Sequence, residues 1–174
     1  MSESFEFRDV THFTAGAVGD PGSRTFYLQV GDALATVTVK LEKQQVKALA
    51  QFLKGVLDDL PSTSGTATAT PLVDPTDPEW TVGQIAVGVE EANAEVVLVI
   101  EELVPVDDED GLDVDEDLFG IDEPSGAKIR AHIDVDKAAS FVVTSDELMD
   151  QGRPPCRLCG QPLDPAGHAC PRLN

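Results

Sequence analysis

The chain has 174 residues, with 32 acidic and 12 basic side chains and a formal net charge of −20. This length suits one domain with a core and a small appendix rather than two ordinary domains. The negative charge argues against general binding to nucleic acid or to an anionic membrane surface. Because residues 1–9 lack signal-peptide character and no apolar run could span a bilayer, we expect a cytoplasmic protein without membrane attachment.

The first half of the chain predicts a meander of strands followed by a helix. Strands are expected at residues 5–10, 13–18, 24–30 and 33–41, and a helix at residues 42–60. Asp20-Pro21-Gly22-Ser23 is a strong turn signal between the second and third strands. A phosphate-binding loop is the alternative for these glycines, but the Gly-Lys-Ser/Thr ending is absent. We therefore interpret them as hairpin glycines, with Arg24 as a candidate contact for an anion or a carboxylate of the same chain.

The second half repeats this order after a segment rich in Ser, Thr, Ala and Pro, residues 61–79, which predicts a flexible linker. A hairpin is expected from strands at residues 80–89 and 95–104, then a strand at 128–135 and a helix from a cap at Asp136 to about residue 149. The order predicts an α+β fold, with mainly antiparallel sheet in two meander-plus-helix halves. We see no residue-level repeat that would prove a duplication.

The segment from about residue 105 to 126 is dominated by Asp and Glu, which is typical of a solvated loop. A calcium loop is the sharper alternative, because Asp113, Asp115 and Asp117 match its first three positions. It is disfavoured because Leu118 replaces the required glycine and Pro124 replaces the bidentate glutamate.

His132, Asp134 and Asp136 alternate along the last predicted strand, so one face could bring them to a metal. The polar side of a half-exposed strand gives the same pattern. We favour that simpler interpretation.

Residues 152–174, here called the tail, contain all three cysteines and one of three histidines. Cys156 and Cys159 form a C-x-x-C pair, and after eight intervening residues His168 and Cys170 form an H-x-C pair. These four side chains supply the nitrogen and sulfur donors that a closed tetrahedral zinc site uses, so the pattern predicts such a site. Gly160 is expected to supply the positive φ that such a turn often needs. With four protein ligands no position stays open for water, which predicts a structural rather than a catalytic metal.

Three alternatives accompany this prediction. A disulfide would leave one cysteine unpaired, and a catalytic C-x-x-C normally sits at a helix N-terminus, whereas prolines and a glycine frame this pair. The spacing also leaves iron open beside zinc.

Arg153, Arg157 and Arg172 outnumber the one acid of the tail, Asp164, so the tail carries +2 and residues 1–151, the body, carry −22. These arginines are candidate contacts for an anion or a partner, and we expect Arg153 or Arg172 to pair with acids of the body. Weak nucleic-acid binding through this basic tail is an alternative, disfavoured by the overall charge.

The chain resembles an uncharacterised bacterial family found mainly in actinobacteria, domain of unknown function 3090. The resemblance lies in residues 19–29, 41–46 and above all the tail strings 152–156 and 167–172. It implies a bacterial cytosolic protein with this Cys/His tail, and it implies no reaction.

Taken together, the sequence predicts a non-enzymatic interaction or accessory module with a structural zinc and a protein partner, possibly a basic one. No catalytic signature such as Gly-x-Ser-x-Gly or His-Glu-x-x-His is present. The alternative is an enzyme, either a thiol-redox protein using Cys156 and Cys159 or a hydrolase with a scattered site such as Arg24, His12 and Glu42. Oligomeric state and biological process stay open.

Overall fold

A computed structural model describes residues 2–60, 65–105, 126–164 and 167–173. In these ranges the chain forms two sheets and two helices. The three-stranded sheet has the order β2 (His12–Val18), β3 (Thr25–Gly31) and β4 (Thr36–Leu41). The four-stranded sheet has the order β1 (Phe5–Phe7), β7 (Lys128–Ile133), β6 (Glu95–Glu102) and β5 (Val82–Glu90). The helices are α1 (Lys43–Asp59) and α2 (Val135–Asp150).

The predicted α+β class is confirmed, and each half is a meander followed by a helix. The turn between β2 and β3 holds Gly19 at φ +107° and Gly22 at φ +100°, a region that favours glycine. The Ser23 N–H donates to the Asp20 carbonyl across this turn at 2.9 Å. These residues are therefore hairpin glycines, as predicted.

The helices begin at identifiable caps. At α1, the Glu42 side chain accepts from the backbone of Gln45 while the Gln45 side chain accepts from the Glu42 N–H, which is a capping box. At α2, the cap is Asp134, whose carboxylate accepts from the Lys137 N–H at 2.7 Å. The prediction of Asp136 as the cap is wrong by two residues, because β7 ends at Ile133 and leaves Asp134 in extended backbone.

Both sheets are antiparallel apart from β1, which pairs with β7 in parallel, with Phe5 opposite Ile129. This pairing takes a strand from the start of the chain into the sheet of the second half. The two halves therefore share the four-stranded sheet.

The two halves also share one hydrophobic core. The rings of Phe13 on β2 and Phe141 on α2 stack with centroids 4.4 Å apart. The sheets are joined where the Lys40 N–H donates to the Trp80 carbonyl and the Glu79 N–H donates to the Thr38 carbonyl, each at 2.9 Å. Within the described ranges, neither helix is long and apolar enough to cross a membrane.

The segment predicted as a linker is attached to the three-stranded sheet and to α2 around residues 70–73. The Thr70 N–H donates to Thr144 Oγ1 at 2.9 Å, and Thr14 Oγ1 donates to the Thr70 carbonyl. Leu72 lies against β2 at Gly16, where a Cβ would come within 2.5 Å of Leu72 Cγ. These contacts do not follow from the polar composition, and the flexibility of the segment stays a prediction.

Residues 106–125, with the calcium-loop candidates Asp113, Asp115 and Asp117, lie outside the described residues.

Candidate metal centre

The first half of the tail is a small hairpin. The Cys156 N–H donates to the Gln161 carbonyl at 2.7 Å, and the Leu163 N–H donates to the Pro154 carbonyl at 2.8 Å. Pro155 and Pro162 face each other between these two bonds. Proline has no N–H to donate, so it fits a position of the ladder that needs none.

The turn of this hairpin carries the first two ligands. The Gly160 N–H donates back to the Cys156 carbonyl at 2.8 Å, and Gly160 has φ +75°. The predicted role of Gly160 is confirmed: an αL residue reverses the chain directly after Cys159, so both sulfurs project to one side. The second pair arrives through another turn, in which Gly167, at φ +87°, donates its N–H to the Asp164 carbonyl.

The four ligand atoms of Cys156, Cys159, His168 and Cys170 all lie within 4.8 Å of one another. Cys156 Sγ is 3.9 Å from Cys170 Sγ, and Cys159 Sγ is 3.8 Å from His168 Nε2. A zinc tetrahedron with bonds of about 2.3 Å to sulfur and 2.0 Å to nitrogen has edges of about 3.8 Å and 3.5 Å between these atom types. The group therefore has the donor set and nearly the size of a tetrahedral metal site.

The two cysteines of the turn differ in acidity. The N–H groups of Cys159 and Leu158 and the ring of His168 stabilise the Cys156 thiolate and lower its pKa to about 6. The Gln161 hydrogen bond lowers the pKa of Cys159, but burial and the neighbouring sulfurs of Cys156 and Cys170 outweigh it, and the net pKa is raised. The cluster thus favours a thiolate at Cys156 and disfavours a second thiolate at Cys159. A bound cation would offset the repulsion between the two negative charges.

This geometry bears on the alternatives for the cysteines. The sulfurs of Cys156 and Cys170 lie 3.9 Å apart, well beyond the disulfide bond length of about 2.05 Å, and all three cysteines are free. Residues 157–159 form a turn, and no helix begins at the C-x-x-C pair in the described tail. The helix dipole that activates a redox C-x-x-C is therefore missing from the described part of this site.

The four candidate arginines separate into two groups. Arg24 and Arg153 line one cavity between the body and the tail, whereas Arg157 and Arg172 are exposed on the tail. Arg153 pairs with Asp164, an acid of the tail itself, because the hairpin brings the two side chains together. Among the described residues, which do not include the acidic segment 106–125, neither Arg153 nor Arg172 forms the expected pair with an acid of the body, and that pairing stays a prediction.

Lys43 lines the same cavity, although no sequence motif marks it as a binding residue. It is the first residue of α1, directly after the cap. In the sequence Lys43 is recognisable only as a lysine at the start of a helix, shortly after a strand ends.

The scattered hydrolase residues are not brought together. His12 pairs with Gly31 and its Nε2 lies 3.2 Å from Gln29 Oε1, whereas Arg24 directly precedes the residue that pairs with Val18. His12 and Arg24 therefore lie at opposite ends of one hairpin. Glu42 is engaged in the cap of α1.

His132 does not share a site with Asp134 and Asp136. Its Nδ1 lies 3.5 Å from a carboxylate oxygen of Glu95 and 3.9 Å from one of Glu90, which flank the β5–β6 turn. These three residues form a further group with metal-binding donors, but ion pairing on a partly exposed sheet explains the same arrangement.

The chain has no match among curated proteins or among solved structures. Residues 5–170 match the family described as "Protein of unknown function (DUF3090)". The matched region reaches from β1 to the last cysteine of the candidate metal centre. The chain therefore belongs to the DUF3090 family of proteins of unknown function.

Proposed function

We propose that this protein is a non-enzymatic interaction module whose tail is held by one structural zinc ion. The observation that carries the proposal is the convergence of the four ligand atoms of Cys156, Cys159, His168 and Cys170 within 4.8 Å. All four positions of a tetrahedron are then occupied by protein atoms, so no position remains for water or substrate. Zinc at such a site holds the tail in one conformation, and its binding free energy stabilises the fold of a segment too short to have a hydrophobic core of its own.

The position of the tail supports a structural role. Arg153, which begins the hairpin, lies over Gly22 of the β2–β3 turn, where a Cβ would come within 3.3 Å of its Cζ. Pro162, on the other strand of the hairpin, lines a cavity together with residues of the body. The four candidate ligands all belong to the tail, so a metal would fix the shape of the hairpin, while Arg153 and Pro162 place that hairpin beside the body. The combined surface is what a partner would meet.

The charge of the body favours a basic protein as that partner. The body carries −22, and a field of this sign speeds association with cations and repels nucleic acid. We expect the association rate with a basic partner to fall steeply between low and physiological salt. Stopped-flow measurements at two salt concentrations would show this dependence, and a rate that is independent of salt would contradict it.

Metal analysis tests the proposed zinc. Protein purified without added metal should contain close to one zinc per chain. Cys159→Ser should lower that ratio strongly, whereas Leu158→Ala should not, because Leu158 is exposed in the same turn. Iron bound to thiolates absorbs visible light and zinc does not, so the spectrum separates the two metals. A zinc-to-chain ratio near zero would refute the site, provided that all three thiols react with a thiol reagent and that adding a chelator does not change this reaction.

A further inference from the structure

A cavity of about 250 Å³ lies where the tail meets the body. Four parts of the chain form its walls: the β2–β3 hairpin, the start of α1, the end of α2 and the tail hairpin. Its apolar wall includes Phe26 and Leu148, and its polar wall is formed by Arg24, Lys43 and Arg153. We call these last three residues the cationic triad.

The charge of this cavity is opposite to that of the molecule. In a chain with 32 acids and 12 bases, the described lining residues include three cations and no acid. Arg153 is paired with Asp164. Arg24 and Lys43 form no ion pair with any carboxylate in the described part of the chain. Two of the three cations therefore have no carboxylate partner among the described residues, and their positive charge favours an external anion at this place.

Two glycines let the cationic groups approach the backbone closely. A Cβ at Gly22 would lie 3.3 Å from Arg153 Cζ, and a Cβ at Gly152 would lie 3.4 Å from Lys43 Nζ and 3.1 Å from the Met149 carbonyl. Larger residues at these positions would press on the groups that a ligand must reach. Both contacts place the ends of Arg153 and Lys43 beside backbone that lines the cavity.

We propose that this cavity binds a small phosphomonoester through the cationic triad. Guanidinium groups match phosphate oxygens with paired N–H donors, and a lysine adds a point charge. The cavity is smaller than the roughly 300–1,000 Å³ of sites for drug-sized ligands, so it suits a phosphate with a short carbon skeleton. The apolar wall at Phe26 and Leu148 would contact that skeleton, while free phosphate would use the triad alone.

NMR titration of the metal-loaded full chain tests this proposal. The probes are inorganic phosphate and glycerol phosphate, with chloride keeping the ionic strength constant and glycerol as the uncharged control. Saturable shifts are expected at the amides of Gly22 and Gly152 and at the Arg24 side chain, with a dissociation constant of about 1 mM or tighter. Glycerol phosphate should bind more tightly than phosphate if the apolar wall contributes.

Matched variants separate a site from diffuse attraction. Arg24→Gln and Lys43→Gln should each weaken glycerol phosphate binding by about tenfold or more, as expected for a hydrogen bond to a charged group. Arg157→Gln, an exposed arginine of the tail, and Lys47→Gln, an exposed lysine one turn along α1, should change the dissociation constant less than about twofold. Arg24→Lys keeps the positive charge but lacks the paired N–H donors of a guanidinium group, so this variant should bind glycerol phosphate with intermediate affinity.

Three results would overturn the proposal. The first is an absence of saturable shifts at the cavity up to the highest phosphate concentration. The second is an equal loss of affinity in Lys47→Gln and Lys43→Gln, which would mean attraction by general charge. The third is tight binding of a phosphoserine peptide without binding of glycerol phosphate, which would indicate a macromolecular partner.

Discussion

The side chain of Gln29 pairs with the backbone of Val73 as a neighbouring strand would. Gln29 Oε1 accepts from the Val73 N–H at 2.9 Å, and Gln29 Nε2 donates to the Val73 carbonyl at 2.7 Å. Nε2 also donates to Thr38 Oγ1 at 3.0 Å, and Gln29 is fully buried. One glutamine in the centre of the three-stranded sheet therefore satisfies both backbone groups of a residue in the predicted linker.

Replacing Gln29 with methionine should destabilise the body while nearly preserving its volume. The Val73 N–H and carbonyl would lose their partners, at a cost of about 1–3 kcal/mol for a buried group left unsatisfied. Chemical denaturation should show a lower free energy of unfolding, and amide exchange should quicken around Val73. Gln44→Met, at an exposed position of α1, is the control. Equal midpoints for the two variants would show that water replaces the amide without cost.

Ser145 and Thr144 on α2 allow an opposite pair of predictions. Ser145 Oγ is buried without a hydrogen-bond partner among the described residues, whereas Thr144 Oγ1 accepts from Thr70 and donates to the Ser140 carbonyl. Ser145→Ala should therefore raise the free energy of unfolding by about 0.5–1 kcal/mol, through helix propensity and removal of an unsatisfied hydroxyl. Thr144→Val should lower it by about 1 kcal/mol. Thermal melts of both variants would decide, and a fall for Ser145→Ala would reveal a partner for its hydroxyl.

The local parts of the fold could be predicted from the sequence, and the pairings between distant segments could not. Alternating and helical spacing, turn glycines and caps act over a few residues, so they predict the hairpins and both helices to within a few residues. The parallel pairing of Phe5 with Ile129 and the anchoring of Val73 by Gln29 join segments far apart in the chain. No short-range pattern encodes such contacts.

The same distinction applies to the two sites. The candidate metal ligands lie within fifteen residues of one another, so their spacing alone predicts that they converge: Cys156, Cys159, His168 and Cys170. The cationic triad comes from three separate segments. The sequence makes Arg24 and Arg153 candidate anion contacts separately, the first from its turn and the second from the charge of the tail. Only the packing of the tail on the β2–β3 turn shows that they share a cavity.

Loss of the metal should loosen the tail and leave the body folded. Structural zinc contributes on the order of 10 kcal/mol to modules that are otherwise unfolded, and the core lies in the body. In Cys159→Ser or His168→Ala, exchange should therefore quicken at the hydrogen-bonded amides of Cys156, Gly160 and Leu163. The amide of Leu28, in the central strand β3, should keep its protection. Global unfolding of either variant would show instead that the tail belongs to the core.

The exposed arginines of the tail should not make the protein a nucleic-acid binder. Arg157 and Arg172 are only two cations beside a body that carries −22. At low salt the Debye length is long, so the negative charge of the body still repels a nucleic acid that approaches these arginines. Fluorescence titration with single- and double-stranded RNA and DNA should show affinities no better than nonspecific levels, about 10⁻⁴ to 10⁻⁶ M. Tight binding of RNA or DNA would contradict the proposed function if the double variant Arg157→Gln/Arg172→Gln abolished it.

If both proposals hold, the metal centre and the anion cavity should be coupled. Arg153 and Pro162 reach the cavity from the tail hairpin, whereas Arg24 and Lys43 belong to the body. Cys159→Ser loosens the hairpin and should then weaken glycerol phosphate binding by about tenfold, which is the effect of losing one charged hydrogen bond. The remaining affinity would come from Arg24 and Lys43 of the body. Leu158→Ala, in the same turn, should bind glycerol phosphate normally.

A double-mutant cycle makes this coupling measurable without an anionic chelator that would compete for the cavity. Arg153→Gln should weaken glycerol phosphate binding in the metal-loaded chain but have little further effect in the Cys159→Ser background, where the hairpin no longer holds Arg153 in place. Calorimetric titration of the four proteins gives the coupling. An equal loss of affinity from Arg153→Gln in both backgrounds would show that the body alone positions this arginine, and that the cavity does not depend on the metal.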